Sequence, residues 1–150
     1  MSKITFSTAL NCVAYAKNSI GSNIFRNVYF DVDGQKVDLT EDGNLSCAVF
    51  VSSILYLLKL IKDTHITVAS TLKDMQNSGW FEIQEPKLGC ILVWEEKDFG
   101  DGRKHKHLGF YVGDDKAVSN NPESGYPTEH DWDEYDKRKV EMIFWNKKLD

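Results

Sequence analysis

The sequence predicts one α+β domain in which helices pack on a single antiparallel sheet. Apolar residues follow helical spacing in the first half of the chain, and short β-rich runs follow one another in the second half. The 150 residues, 41% hydrophobic and 27% charged, have the composition of an ordinary globular protein with one core. We therefore expect a single domain over residues 1–150.

The chain begins with a predicted amphipathic helix, followed by a hairpin. Five apolar residues at helical spacing define the expected buried face of this helix: Phe6, Leu10, Val13, Ala16 and Ile20. Gly21 is its expected stop. In NVYFDVDGQKVDL, apolar residues alternate on both sides of Asp33-Gly34, a dipeptide typical of a tight hairpin turn.

The most apolar stretch, SCAVFVSSILYLLKLI, follows the polar segment TEDGNL and predicts the central helix. Apolar residues surround most of its circumference, so we expect it to be buried on nearly all sides. A further amphipathic helix is predicted from Thr67 to Gly79, with Val68, Leu72 and Met75 facing inward.

The second half of the chain contains five strand-like runs: WFEI, LGCILVWEE, HLGFYVG, KAVSN and KVEMIFW. The polar segment from Pro122 to Lys139 contains several turn residues and is predicted to be a long loop. Loops of this length in compact domains usually carry function, so we expect it to wall a substrate cleft.

Charge and hydropathy exclude two classes of partner. A net charge of -5 argues against nucleic-acid binding, which needs a basic face to neutralise phosphates. The longest apolar run is interrupted by Ser52, Ser53 and Lys59, so we expect no membrane span. The first residues resemble a secretory signal only superficially, because polar side chains dilute the apolar region. We therefore predict no Sec-type export, which leaves the cytoplasm or a non-Sec route.

Cys47 opens the predicted central helix and is the candidate nucleophile. Unpaired N–H groups and the positive end of the helix dipole stabilise a thiolate there, which predicts a pKa lowered toward neutrality. Cys12 and Cys90 are instead predicted to be small buried hydrophobes. The spacing of the three cysteines fits no zinc motif.

His107 heads the run HLGFYVG and is the candidate base. Amide hydrolysis by a cysteine needs an imidazole within hydrogen-bond reach of the thiol, and a third polar group that orients the ring. Cys47 and His107 meet the first requirement by residue type, one on a helix start and the other on a strand.

The third polar residue depends on the register of the hairpin after His107. If Asp114-Asp115 forms a two-residue turn, Gly109 opposes Asn120, whereas a turn one residue longer places Gly109 opposite Ser119. Asn is the better orienting acceptor, since a serine hydroxyl is shorter and rotates freely. The sequence leaves both residues as candidates.

At these residues the chain resembles the NlpC-type papain-like cysteine peptidases, which cut cell-wall peptides. Their pattern is Asp-Cys-Ser-Gly-Phe-Val at a helix start, Gly-Asp-Leu-Val on a strand, and His-Val-Gly-Ile-Tyr-Val-Gly before a third polar residue. This chain has SCAVFV from Ser46, GCILVW from Gly89 and HLGFYVG from His107, in the same order. The resemblance covers Leu45 to Asn121.

The resemblance implies a papain-like fold and a thiol hydrolase that cleaves an amide bond, in a peptide or a peptidoglycan stem peptide, without a cofactor. It implies Cys47 as the nucleophile and His107 as the base. An ungapped alignment with the family pattern places the third residue at Ser119, and the two-residue turn favours Asn120. Tyr29 is the match for the upstream tyrosine of the family's active site.

Three departures from the family pattern lie beside the reactive residues. Ser46 replaces the aspartate before the nucleophile, Ala48-Val49 replaces Ser-Gly, and Cys90 replaces the aspartate of Gly-Asp. Such neighbours bind substrate in the family, which makes Ser46 a substrate-binding candidate. The same changes support a rival interpretation, an NlpC-like binding or regulatory module that has lost turnover.

Two further ligand sites are alternatives. His105 and His107 alternate along one strand face and, with His130 or Asp131, have the residue types of a metal site. Trp132 and Tyr135 lie among the carboxylates of DWDEYD and are candidate contacts for a cationic ligand.

Overall fold

A computed structural model gives the structure of the protein and describes residues 1–98 and 102–150. Over these residues the chain forms three α-helices: α1 (Thr8–Asn18), α2 (Cys47–Leu57) and α3 (Val68–Asn77). It also forms nine strands: β1 (Tyr29–Val32), β2 (Gln35–Asp38), β3 (Phe81–Ile83), β4 (Ile91–Asp98), β5 (Lys104–Gly113), β6 (Lys116–Asn121), β7 (Tyr126–Asp131), β8 (Glu134–Tyr135) and β9 (Arg138–Trp145). A short 3-10 helix, Lys147–Leu149, follows.

The main sheet has the strand order β3-β9-β4-β5-β6-β7, and β8 pairs with β9 beside this path. Its neighbouring strands run antiparallel. Helix α2 packs on β5 and β6, and α1 packs on β5. The predicted α+β class, with helices on an antiparallel sheet, is confirmed. No helix of the described residues is long and apolar enough to cross a membrane.

The core lies between the helices and the sheet. The rings of Phe50 on α2 and Phe110 on β5 meet edge to face with centroids 5.5 Å apart, and both are fully buried. Burial of one such side chain stabilises the fold by about 1.5–3 kcal/mol. Cys12 and Cys90 are also fully buried with free thiols, as predicted. Burial raises the pKa of each of these thiols to about 12.

Helix α1 buries only part of the predicted face: Val13 and Ala16 are buried as predicted, and the other three residues are not. Leu10 is 58% exposed, while Phe6 and Ile20 lie outside the helix and are also exposed. The inward stripe consists of residues at i, i+3, i+4 and i+7, mostly small: Ala9, Cys12, Val13 and Ala16. Small residues let α1 approach the sheet closely, and the backbone at Gly89 lies directly against Ala9.

Helix α2 is shorter and less enclosed than its apolar run predicts. It ends at Leu57, which is 66% exposed, and Tyr56 is also exposed. Lys59 has a φ of 60°, and this left-handed residue reverses the chain so that Leu60 and Ile61 return to the core. The helix after it begins at Val68, where the Thr67 hydroxyl accepts a hydrogen bond from the Ser70 N–H.

The prediction of a long loop from Pro122 to Lys139 is wrong. A short turn after Asn121 leads into β7, which pairs with all of β6, and β8 follows. The Asn121 side chain accepts hydrogen bonds from the N–H groups of Glu123 and Ser124, which fixes that turn. The polar composition suits β7 because it lies at the end of the sheet path, where many side chains meet water.

Candidate active site

The chain segment before Cys47 is held in place by a close backbone contact. Gly43 and Gly125, in the turn between β6 and β7, pack so closely that a Cβ at Gly43 would lie 2.5 Å from the Gly125 Cα. Gly43 has a φ of 89°, so glycine is required there for conformation as well. The Asn120 side-chain amide donates a hydrogen bond to the Gly43 carbonyl at 2.8 Å. The start of α2 is thereby tied to β6.

Ser46, the residue before the candidate nucleophile, is fully buried. Its hydroxyl lies 3.5 Å from the Arg26 carbonyl and does not cap the helix. Ser46 is absent from the described lining of the cavity beside Cys47. Its side chain therefore holds the segment before α2 against the Arg26 backbone.

The thiol of Cys47 opens α2 as predicted, but its pKa does not shift in the predicted direction. Burial raises the pKa of Cys47, and this outweighs the opposing effects of the Leu108 and Ala48 N–H groups and of the Arg138 charge. The prediction of a lowered pKa is therefore wrong. The helix start supplies the expected N–H groups, but the free-energy cost of removing a thiolate from water exceeds the stabilisation that these groups provide.

His107 lies on β5 opposite Trp94 and is 5% exposed. Its imidazole stacks on the Tyr135 ring, with centroids 4.1 Å apart and planes 5° apart, and the Trp94 ring centroid lies 5.5 Å away. The Nε2 atom is buried and has no hydrogen-bond partner among the described residues. Burial, followed by the Arg138 charge and His130, holds the pKa of His107 well below its usual range.

Cys47 and His107 line the same cavity, which has a volume of about 620 Å³. Within the described part of the chain, no hydrogen bond joins the Cys47 sulfur to the imidazole. The directions of the two pKa shifts make the resting pair a neutral thiol and a neutral imidazole. This state suits a base that accepts the thiol proton during attack.

The hairpin after His107 combines features of both predicted registers. Asp114 and Asp115 have φ of 52° and 58° and form a two-residue turn, with Gly113 paired to Lys116. An irregularity between Tyr111 and Gly113 then shifts the register, so Gly109 opposes Ser119. The expectation that a two-residue turn places Asn120 opposite Gly109 is therefore wrong.

Ser119 and Asn120 make different contacts, and neither bonds to His107. The Ser119 hydroxyl lies 2.6 Å from Nε2 of His130, whose Nδ1 lies 2.8 Å from the Asp131 carbonyl. Since Nδ1 must donate to that carbonyl, Nε2 accepts the Ser119 proton. Asn120 lines the cavity, and its Oδ1 atom is buried without a partner in the described residues.

Two predicted substrate contacts lie away from this cavity. Tyr29 is 67% exposed on the separate β1-β2 hairpin, and Trp132 packs edge to face on Tyr111. Neither residue is among the described residues that line the cavity beside Cys47. The residues proposed as metal ligands also form no cluster of three or more His, Cys, Asp or Glu across residues 1–98 and 102–150.

Two residues beside His107 were missed in the sequence. Tyr135 was predicted only as a contact for a cationic ligand and not as a neighbour of His107, and Arg138 lies in a run, KRK, that is typical of a surface. Arg138 is 5% exposed, donates to the His105 carbonyl at 3.3 Å and has its Nη2 3.9 Å from Asp136. Its only available signal was alternation along the last strand, where Arg138 falls two residues before Val140 and four before Met142.

The fold is similar to the solved structure of NlpC2 from Trichomonas vaginalis, with a TM-score of 0.55 and 14% sequence identity. The match covers 95% of this chain and 48% of that chain, so this chain spans about half the length of that protein. No protein-family model matches the sequence. No curated protein matches it. At this identity the likeness shows an NlpC-like fold alone.

Proposed function

We propose that the protein is a cysteine hydrolase of papain-like type that cleaves an amide bond. The observation that carries the proposal is the shared cavity: a thiol at the start of α2 and a buried imidazole on β5 both line it. The NlpC-like fold supports the same assignment. The proposed bond lies in a peptide, including the stem peptide of peptidoglycan, and the reaction needs no cofactor.

In the proposed mechanism, His107 takes the Cys47 proton as the sulfur attacks the carbonyl carbon. The N–H of Cys47, at the helix start, stabilises the oxyanion that forms. His107 then protonates the amine as the C–N bond breaks, which leaves a thioester on Cys47. Water hydrolyses the thioester with His107 as the base, releasing the acid and the free thiol.

Ser119 and Asn120 are both proposed as the third residue; the register of β5 and β6 puts Ser119 on the same face of the sheet as His107, and Asn120 on the other face. His107 Nε2 and Asn120 Oδ1 are complementary, a ring N–H donor and an amide acceptor, and both lack a partner among the described residues. Ser119 already donates to His130.

Alkylation of Cys47 by iodoacetamide tests this function. Peptide mapping by mass spectrometry should show labelling at Cys47 in the folded chain, while the buried Cys12 and Cys90 stay unlabelled. The rate should fall at least about tenfold in His107→Ala, because the base is lost. His65→Ala is the matched control, since His65 lies outside the cavity beside Cys47, and should leave the rate unchanged. A folded chain whose Cys47 resists alkylation would contradict the proposal.

A binding or regulatory module without turnover is the second candidate function. Two observations favour it: the pKa of Cys47 is raised, and no hydrogen bond joins Cys47 and His107 in the described residues. Peptidoglycan fragments incubated with the wild-type chain and with Cys47→Ala separate the two functions. Cleavage by the wild-type chain alone supports the hydrolase, and fragment binding without cleavage supports the module.

A further inference from the structure

Five large apolar side chains line the cavity beside Cys47. They belong to the segment before α2 and to the residues around the first half of α3: Leu39, Leu45, Ile66, Val68 and Leu72. A cavity of about 620 Å³ has room for several carbon atoms beyond the reacting carbonyl. An apolar wall of this kind favours a substrate with an apolar group next to the scissile bond.

The cavity is also lined by an excess of positive charge, although the chain carries a net charge of -5. Four cationic residues, Arg103, Lys104, Lys106 and Arg138, and one carboxylate, Glu96, line it among the described residues. Arg103 and Lys106 form ion pairs with Glu41 and Glu141, at 3.2 Å and 3.0 Å. These exposed pairs are screened by water and contribute little to selection.

Arg138 differs from these residues because it is buried at the reactive centre. Its guanidinium carbon lies 5.5 Å from the centroid of the Tyr135 ring that stacks on His107, and it donates to the carbonyl of His105. Its carboxylate neighbour, Asp136, lies 3.9 Å away and is shared with Lys97. A guanidinium in such a poorly solvated position attracts an anion more strongly than a surface lysine does.

We propose that the cavity binds amides that join an apolar acyl group to an amine carrying a carboxylate. The apolar wall holds the acyl group, and Arg138, on the same side of the site as His107, holds the carboxylate of the amine that His107 protonates. This assignment of substrate class rests on the proposed function. N-acyl amino acids and peptides with an apolar residue before the C-terminal residue share this chemistry.

The overall reaction adds water across the amide. Cys47 sulfur bonds to the acyl carbon, the C–N bond breaks, and the amine leaves with the proton that His107 took from the thiol. Water then replaces the sulfur on the acyl carbon. For N-octanoylglycine the products are octanoate and glycine, and neither an oxidant nor a second substrate is needed.

Binding to the Cys47→Ser chain tests the inference without turnover. We expect N-octanoylglycine to bind at least about tenfold tighter than both N-octanoylglycinamide, which lacks the carboxylate, and N-acetylglycine, which lacks the chain, by isothermal titration calorimetry. The inference is overturned if the amide binds as tightly as the acid, or if the acetyl compound binds as tightly as the octanoyl compound. Because the comparison uses one folded protein, a variant that fails to fold cannot obscure the result.

Single-residue variants then test which side chains bind the carboxylate and the acyl chain of the ligand. Arg138→Gln should abolish the preference for the acid over the amide, whereas Arg138→Lys should keep part of it. Lys148→Gln, on the short 3-10 helix and outside the described lining of the cavity, should keep all of it. Leu72→Ser should weaken the binding of the octanoyl compound and leave the binding of N-acetylglycine unchanged. A preference that survives in a folded Arg138→Gln chain overturns the role of Arg138.

Hydrolysis by the wild-type chain distinguishes the two kinds of substrate that share this chemistry, N-acyl amino acids and peptides. Faster cleavage of N-octanoylglycine than of leucylglycine identifies an acyl amino acid as the substrate, and the reverse identifies a peptide. Failure of the iodoacetamide test overturns the proposed hydrolase but leaves the binding order to be measured. Alkylation of Cys47 combined with equal binding of the three ligands overturns only the substrate class.

Discussion

The imidazole of His107 lies parallel to the phenol ring of Tyr135, with the two ring centroids 4.1 Å apart. Trp94 and His130 border the same stack, with centroids 5.5 Å from His107 and 4.8 Å from Tyr135 respectively. His107 therefore takes its orientation in the resting structure from flat aromatic surfaces, because its Nε2 has no hydrogen-bond partner in the described residues. Tyr135 is a positioning residue for the proposed base.

Removing the Tyr135 ring should slow the alkylation of Cys47 by about ten- to a hundredfold, because a misplaced base no longer meets the thiol. Tyr135→Phe keeps the stacking surface and should react within about twofold of the wild-type chain. Tyr135→Ala should show the loss together with a changed pH profile of alkylation. Equal rates in Tyr135→Ala and Tyr135→Phe would show that the stacking does not position His107.

The rate of alkylation should rise with pH across the neutral range. Burial raises the pKa of Cys47 and lowers that of His107, so the resting chain holds little thiolate at pH 7. We expect a continuous increase from pH 6 to pH 9, about tenfold per unit at most. A plateau that begins near pH 4, as for a preformed thiolate and imidazolium, would contradict the neutral resting pair.

The two candidate third residues should differ on substitution. Asn120→Ala removes an unpartnered acceptor and the bond to Gly43, and should lower the alkylation rate at least about tenfold. Ser119→Ala breaks only the bond to His130 and should stay within about twofold. The opposite order of rates, measured on folded chains, would assign the third position to Ser119.

Asp74 should make the fold sensitive to acid. Burial raises its pKa, but hydrogen bonds from His65, Lys62, Asp63 and Ser78 outweigh this and lower the pKa to about 2. A lowered pKa in the folded state means that its stabilising effect is complete above pH 4 and lost as the pH falls through 2. The shift corresponds to about 2–3 kcal/mol.

Urea unfolding at pH 7, 4 and 2 measures this effect. Asp74→Asn should be less stable than the wild-type chain at pH 7, and the difference should shrink between pH 4 and pH 2. Asp133→Asn, at an exposed position, is the matched control and should follow the wild-type chain throughout. A constant difference across all three pH values would rule out ionisation of Asp74 as its cause.

Gly109 should tolerate no side chain. A Cβ at this position would lie 2.7 Å from the Val118 carbonyl oxygen and 3.0 Å from the Trp94 ring. Gly109→Ala should destabilise the fold by about 1–3 kcal/mol and slow alkylation of Cys47, because Trp94 packs beside His107. Gly21→Ala, with open space but a φ of 77°, should cost stability without changing the alkylation rate. A normal rate in Gly109→Ala would contradict this coupling.

Local pattern was sufficient to predict most of the elements. The hairpin at Asp33-Gly34, the Thr67 start of α3 and the strand containing His107 are set by turn chemistry, capping and alternation within a few residues. The inward face of α1 was not predictable in this way. Small residues are needed on that face because α1 packs close to the sheet, and this distance is a property of the tertiary structure.

Only those parts of the site that depend on residues close together in the sequence could be predicted. A cysteine at a helix start and a histidine on a strand could be recognised from their own neighbours, although β5 begins at Lys104, three residues before His107. The stack of His107 on Tyr135, and the position of Arg138 beside them, arise because β8 and β9 return to the sheet after the β7 strand. The pKa of Cys47 was predicted in the wrong direction because burial cannot be read from the residues that flank it.

The contact between Gly43 and Gly125 has a consequence for loop engineering. A methyl group at Gly43 would clash with the Gly125 backbone in the turn between β6 and β7, and one at Gly125 would clash with the Arg26 guanidinium and lie 3.0 Å from the Asp42 carbonyl oxygen. Grafting a foreign loop at either place would therefore displace the reactive thiol. The two segments must be exchanged together, as a matched pair, if the start of α2 is to stay where it is.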